Sequence, residues 1–328
     1  MKKLVVLINV RAGKASSKAK KMISSLMSDS KIFESHSLEE SEKFSMLIIK
    51  KGYPFVIIAG GDGTITTTIN YLFKAQKLFK KYNFFPVIGT LPLGSGNSIS
   101  QYLGLSGDLK SNIKLIYKMI EKEKIKYLEM IEGNKLFFPF AGFGYDSLLL
   151  MDYYWIKNIS FIKIKGIIAY FLAAILRTIP REIFCKREMK VVIINKGNGF
   201  KIAGKKNEMQ KIAVDKILFE GNCKMVSAGT IPFYGYRLKA LPFASLLPGK
   251  FHLRIVTGKY YKILYNLRSL WSGTFFPDYI HDFLVEDVLV KVSPVMPFQI
   301  SGENYGEIKE IEMKISSIKI PFLSPLSQ

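Results

Sequence analysis

The chain has 328 residues, 48% of them hydrophobic, with a mean hydropathy of +0.16; it is long enough for two domains and too apolar to be disordered. Its two cysteines, Cys185 and Cys223, stand in no metal-ligating spacing. That excludes a disulfide framework or zinc site and fits a reducing compartment. A formal net charge of +22 draws polyanions of every kind, and by itself selects none among nucleic acids, anionic lipid headgroups and nucleotide phosphates.

Met1-Lys2-Lys3 and the apolar run Leu4 to Ile8 break at Asn9-Val10-Arg11, too short for a leader and well suited to a buried first strand, Lys3 to Asn9. A basic helix is predicted over Ser16 to Ser28, a short strand over Lys31 to Ser35, and a helix over Leu38 to Lys51 whose acidic first turn suits the helix dipole. Phe55 to Ala59 reads as a strand that ends in Gly60-Gly61-Asp62-Gly63, with a helix over Thr64 to Lys77. Pro86 to Leu91 is another strand, closed by Pro92-Leu93-Gly94-Ser95-Gly96-Asn97. Alternating strands and helices with glycine turns predict a parallel, doubly wound α/β sheet whose ligand lies at the carboxyl ends of the strands. After Lys126 the texture changes to short β-like runs, at Lys126 to Ile131, Lys135 to Pro139, Met189 to Asn195, Lys224 to Ala228 and Phe251 to Thr257. Helices are predicted over Ile159 to Ile179 and Tyr260 to Ser272, and strands again from Val288 to Phe322. The expected second domain is therefore a β-sandwich-rich one, over residues 127–311. The apolar stretch Gly166 to Leu176 is far shorter than the roughly 20 residues a membrane-spanning helix needs.

Gly60-Gly61-Asp62-Gly63-Thr64 is the most informative segment. Its glycines let several amides approach an anion, the following helix adds a favourable dipole, and Asp62 could hold a magnesium ion or orient a hydroxyl. An ordinary strand-to-helix turn with Asp62 as a cap is the plainer alternative. Gly94-Ser95-Gly96-Asn97 supplies a second such loop after the neighbouring strand, and the pair is far more specific than either alone. No Walker sequence is present.

The two loops together, Ile57 to Thr64 and Leu91 to Asn97, resemble the diacylglycerol kinase catalytic-domain family, which includes bacterial lipid kinases, sphingosine kinases and ceramide kinases. The likeness continues through Asn9 and Gly13, Phe140 to Asp146, Gly166 and Tyr170, Pro232 to Gly235, Leu241 to Ala244 and Gly302-Glu303. It implies a nucleotide-binding α/β domain over residues 1–126, completed by about 312–328, ahead of the β-rich lipid-substrate domain. It also implies ATP and Mg2+ as cofactors and transfer of the γ-phosphate to a lipid hydroxyl. By the same resemblance Gly60 to Thr64 hold phosphate, Asn9, Ser35 and Gly94 to Asn97 contact nucleotide, Asp62 organises the metal and Glu303 accepts the proton of the hydroxyl. Asp146 would meet the lipid headgroup. Thr66-Thr67, Ser98, Pro248 and Ser301 stand where bacterial members carry other motif residues, several of them acidic, so the structural magnesium site of those members is not implied.

Basic residues from Lys157 to Lys190, namely Lys157, Lys163, Lys165, Arg177, Arg181, Lys186, Arg187 and Lys190, are interleaved with apolar ones. They read as a surface for anionic lipid headgroups, or more plainly as the solvated face of a core helix. Trp155 and Trp271 read as packing residues, and His36, His252 and His281 stand in no ligand spacing. No nucleic-acid-binding motif converts the charge into a nucleic-acid partner. The expected partners are a lipid substrate and an anionic membrane surface, with a homodimer also open, for a cytoplasmic protein peripheral to the membrane. Two other readings remain: a kinase of a soluble acceptor such as NAD, whose kinases share the Gly-Gly-Asp-Gly-Thr loop, and a non-catalytic lipid- or anion-binding protein.

Overall fold

The computed structural model describes residues 3–159, 166–185, 189–203 and 208–326. Internal contacts divide the chain into two units, Met1–Glu129 with Ser317–Gln328, and Met130–Ser316.

The first unit runs β1 (Leu4–Asn9), α1 (Ser17–Leu26), β2 (Lys31–Ser35), α2 (Leu38–Lys51), β3 (Phe55–Gly60), α3 (Asp62–Leu78), β4 (Val87–Pro92), α4 (Ser98–Tyr102) and α5 (Leu109–Glu121). Its strands lie in the order β2-β1-β3-β4, all parallel. Beside β4 pairs the end of the last strand of the chain, through Phe322 and Ile88. β1 and β3 are apolar and buried along nearly their whole length, as a parallel strand covered on both faces requires. Local chemistry sets the helix ends. Ser37 Oγ accepts the Glu40 amide at the start of α2, Glu40 reaches back to the His36 amide at 2.6 Å, and Gly52 closes the helix in the left-handed region at φ 66°.

The second unit takes up the latter part of β5 (Ile125–Gly133), then β6 (Leu136–Phe138), β7 (Phe140–Gly144) and α6 (Tyr145–Asn158). There follow α7 (Ile167–Ala173), a π-helical turn over Ala174–Thr178 and α8 (Ile179–Cys185). Strands β8 (Met189–Asn195), β9 (Gly199–Ala203), β10 (Glu208–Ile212), β11 (Ile217–Cys223), β12 (Met225–Gly229) and β13 (Phe251–Val256) come next. The short helices α9 (Tyr260–Tyr265) and α10 (Leu267–Ser272) precede β14 (Ile280–Val285), β15 (Asp287–Ile300) and β16 (Glu303–Leu323). Pairing runs β10-β9-β14-β13-β12-β7-β15-β16, with β8 between β11 and β15. The paired strands are antiparallel. Phe138, Phe143, Phe251 and Phe298 anchor one core beneath them. Within this unit Arg254 is fully buried yet fully engaged. It makes a two-pronged contact with Asp282 at 2.7 and 3.0 Å, and His252 Nε2 lies 2.8 Å from the same carboxylate. Burial alone would raise Asp282; Arg254 and His252 instead hold it well below the usual carboxylate range.

Two expectations are corrected here. Of the helix predicted over Ile159 to Ile179, residues 160–165 lie outside the described residues; helix is seen from Ile167, after Gly166 at φ 71°, and continues past Ile179 to Cys185 with the π-helical turn inside it. The helix predicted over Tyr260 to Ser272 is two short ones, broken at Asn266. Of the predicted basic face, Lys163, Lys165, Lys186 and Arg187 lie outside the described residues.

Candidate functional site

In the first unit the carboxyl ends of four parallel strands carry the residues that the sequence singled out. Asn9, the last residue of β1, donates through Nδ2 to Thr64 Oγ1 at 2.8 Å and accepts the Arg11 amide on Oδ1 at 2.9 Å. It therefore ties the β1 turn to the start of α3. The Val10 amide donates to the Ser35 carbonyl at 3.1 Å, bringing in the end of β2, and Lys14 N–H donates to the Leu93 carbonyl at 2.8 Å. Ser35 is buried, and its hydroxyl donates to the Ser37 carbonyl at 2.8 Å.

The two glycine loops touch. A methyl group on Gly94 would sit 2.4 Å from Gly61 Cα, so only glycine lets the loops approach this closely. Asn97 closes the second loop on itself, accepting the Gly94 amide at 2.9 Å and donating to the Gly94 carbonyl at 2.8 Å. Asp62 then clamps one loop to the other. Its Oδ2 accepts the Ser98 amide and its Oδ1 the Ile99 amide, both at 2.9 Å. Those are the first two amides of α4, whose own N-cap residue, Asn97, supplies no side-chain cap. Asp62 is thus a cap delivered from 36 residues away, with its negative charge at the positive end of a helix. Burial raises its carboxyl above the ordinary value, and the two amides oppose that rise. The amino end of α3 is different. Gly61 gives it no side-chain cap, so the amides of its first turn are left for something else to satisfy.

The second unit holds Asp146 and Glu303. Asp146 lies in the first turn of α6, where its Oδ2 accepts the Tyr234 hydroxyl at 2.6 Å and Gln299 Nε2 at 3.2 Å, and its Oδ1 accepts the Ser147 amide at 2.7 Å. Gly142 makes the room: a methyl there would lie 2.1 Å from Asp146 Oδ2. Burial pushes the Asp146 carboxyl up to about 6, against the pull of Tyr234, Gln299 and Ser147. Gln299 also hydrogen-bonds the Tyr234 hydroxyl, and its Oε1 accepts the Gly302 amide at 2.9 Å. Ser301 and Gly302, at φ 52° and 78°, form the two-residue turn joining β15 to β16. Glu303 follows at once, exposed, with its Oε2 accepting the Tyr154 hydroxyl at 2.9 Å. Burial first, and then the Glu303 charge, push the Tyr154 hydroxyl above its ordinary value. One chain of hydrogen bonds therefore runs from Asp146 through Tyr234 and Gln299 to the turn that presents Glu303. Gln299 and Tyr154 were not singled out from the sequence. Their contacts with this site reach across 153 and 149 residues, beyond any local pattern.

Residues 3–129 match the family model for the diacylglycerol kinase catalytic domain. The match falls within the first unit. The diacylglycerol kinase 2 of Arabidopsis thaliana is 24% identical over 176 residues, 47% of this chain and 24% of that protein, so the chain spans about a quarter of its relative. Among solved structures, one from Bacillus anthracis str. Sterne, described as a presumptive diacylglycerol kinase, superimposes with a TM-score of 0.70 at 16% identity, covering 98% of this chain and 97% of that one. A diacylglycerol kinase from the same organism gives a TM-score of 0.64 at 14% identity, with the same coverage. These likenesses establish the fold: an α/β first unit of diacylglycerol kinase type followed by a strand-rich second unit. Within the matched residues fall both glycine loops, Asn9, Ser35 and Asp62, whereas Asp146 and Glu303 lie beyond them.

Proposed function

We propose that the protein is an ATP-dependent lipid kinase that phosphorylates a hydroxyl of a membrane-derived lipid such as diacylglycerol or a sphingoid base. The observation that carries this reading is the pair of touching glycine loops at the ends of β3 and β4, with an uncapped α3 amino terminus between strand and helix. Backbone amides concentrated in this way suit the phosphates of ATP. Mg2+ would arrive on those phosphates and neutralise charge that develops during transfer. Asp62 is the carboxylate on the loops that could meet it. The described residues contain no cluster of three metal-ligating side chains, so the ion's other ligands would be phosphate and water.

In the proposed reaction the lipid hydroxyl oxygen forms a bond to the γ-phosphorus, the bond from that phosphorus to the bridging oxygen breaks, and ADP leaves. Glu303 takes the hydroxyl proton, with Tyr154 holding its carboxylate in place. Asp146 acts on the headgroup through the polar network it shares with Tyr234 and Gln299. Among the described residues no helix is long and apolar enough to cross a membrane, which is compatible with a peripheral enzyme that visits its substrate.

The test is transfer of radioactive γ-phosphate from Mg-ATP to a mixed lipid extract, separated by chromatography, with NAD in parallel and Asp62→Asn as control. A labelled lipid absent from the control supports the proposal and reveals the acceptor. Labelled NADP, or no turnover by a folded protein, overturns it. Tyr154→Phe should lower kcat by about tenfold, the cost of one hydrogen bond to a charged group, and leave the KM for ATP and the melting temperature unchanged.

A further inference from the structure

The helical segment from α7 to α8 presents large apolar side chains on its outer surface. Along α7, the π-helical turn and α8 the buried positions are taken by small side chains, with Ala169 and Ala173 at 0% exposure. Tyr170 packs inward on Tyr153, but six other large apolar side chains face outward: Ile168 is 60% exposed, Ile175 58%, Leu176 57% and Phe184 82%, and Phe171 and Ile183 join them. Ile168, Phe171 and Ile175 fall at intervals of three and four, one stripe of a helix. Trp155 of α6, expected as a packing residue, is instead exposed and lies against this face, with the Arg177 guanidinium 3.9 Å from its ring centroid. Arg177, Pro180, Arg181 and Phe184 line one shallow surface depression. A cluster of exposed large apolar side chains on one helical segment marks an interaction surface.

We infer that this face inserts into an anionic lipid bilayer, with Trp155, Phe171, Ile175 and Phe184 in the acyl boundary and Arg177 and Arg181 at headgroup level. The identity of the occupant is argued from charge. Asp152, buried, receives Arg177 at 3.1 Å and Arg181 at 2.8 Å, so the two guanidiniums are fixed on the outer surface with one net positive charge between them. Lys157 and Lys190 are exposed nearby in the chain, and the whole molecule carries +22. A second copy docking by this face would bring like charges together. Anionic lipid headgroups neutralise them, while the acyl layer covers the apolar stripe. The inference rests on the lipid-kinase reading for its purpose, and it adds a placement. Tyr154, which binds Glu303, precedes Trp155 directly in α6, so the residue proposed to take the proton is coupled to the helix that meets the bilayer.

The experiment uses the full chain carrying Trp271→Phe, which leaves Trp155 as the sole tryptophan. Vesicles of phosphatidylcholine alone, and with one third phosphatidylglycerol, are added while Trp155 emission and sedimentation are followed. A blue shift and sedimentation with the anionic vesicles are expected, both reduced at high salt. In the double variant I175S/F184S, whose side chains are exposed and leave the core untouched, partitioning should fall by about tenfold or more. Unchanged partitioning of that variant overturns the inference. So does a wild-type dimer that the variant converts to monomer without loss of vesicle binding. Transfer to a short-chain, water-dispersed acceptor should persist in the variant. If vesicle binding behaves as stated and no acceptor is phosphorylated, the kinase reading fails and the docking face stands.

Discussion

Asp62→Asn is expected to lower lipid phosphorylation by about 100-fold or more and to reduce the melting temperature of the protein. Both effects have one cause. The two oxygens of Asp62 each accept a backbone amide of the opposite loop, and neither amide has another cap in reach. An asparagine must turn its NH2 towards one of them, leaving a buried donor facing a donor, a loss of about 1–3 kcal/mol. The loops then part, and a displacement of about 1 Å at a reacting group can cost about 100-fold in rate. Equilibrium binding of ATP separates the consequences: the variant should bind ATP more weakly as well as turn over more slowly. Near wild-type transfer would show that the clamp serves folding alone and that the phosphate site lies elsewhere. Glycine loops held together by a carboxylate thus make the expected result partly structural, which the motif by itself does not suggest.

Glu303→Gln should lower kcat by about 10²- to 10⁴-fold, the contribution of a positioned general base, while stability and the KM for ATP stay near wild type. The side chain is exposed, and the glutamine carbonyl can still accept the Tyr154 hydroxyl, so the turn at Ser301 and Gly302 should keep its shape. Melting curves for the variant check this directly. A variant that retains most of its turnover would remove Glu303 from the chemistry and leave Tyr154 with a purely local role. A variant that loses turnover together with several degrees of stability would mean that the contact matters for the fold rather than for the proton.

The first unit was largely legible in the sequence because its signals are local. β1 and β3 are apolar runs, α2 carries its Ser37 and Glu40 cap and its Gly52 stop, and the glycine loops sit where strands give way to helices. α4 was missed for a physical reason: five residues hold no periodicity, and its cap comes from Asp62, far away in the chain. α5 was missed although it is amphipathic and Asp108-capped, a signal that could have been read. In the second unit β10 is exposed from Glu208 to Lys211, offering no alternation to detect. α6 begins where β7 ends, and its Trp155 reads as a packing residue. In the structure Tyr153 packs inward, stacked on Tyr170 at 3.9 Å, Tyr154 is half-buried beside it, and Trp155 is exposed. The residues proposed for catalysis were found by resemblance, whereas the hydrogen bonds that hold them join segments too distant for any pattern to connect.

The first unit is built from both extremities of the chain. Phe322 pairs with Ile88, the Ser324 hydroxyl donates to the Leu103 carbonyl, and Pro325 packs 3.1 Å from where a side chain on Gly104 would begin. The second unit, by contrast, is continuous from Met130 to Ser316. During synthesis on the ribosome, the α/β unit emerges first and must wait, with the edge of β4 uncovered, until residues 317–326 have left the exit tunnel. The inserted unit can complete its core in the meantime. Completion of the first unit therefore follows synthesis of the second, and a nascent chain stalled after the second unit would carry every residue of the glycine loops yet lack the strand end that pairs with β4.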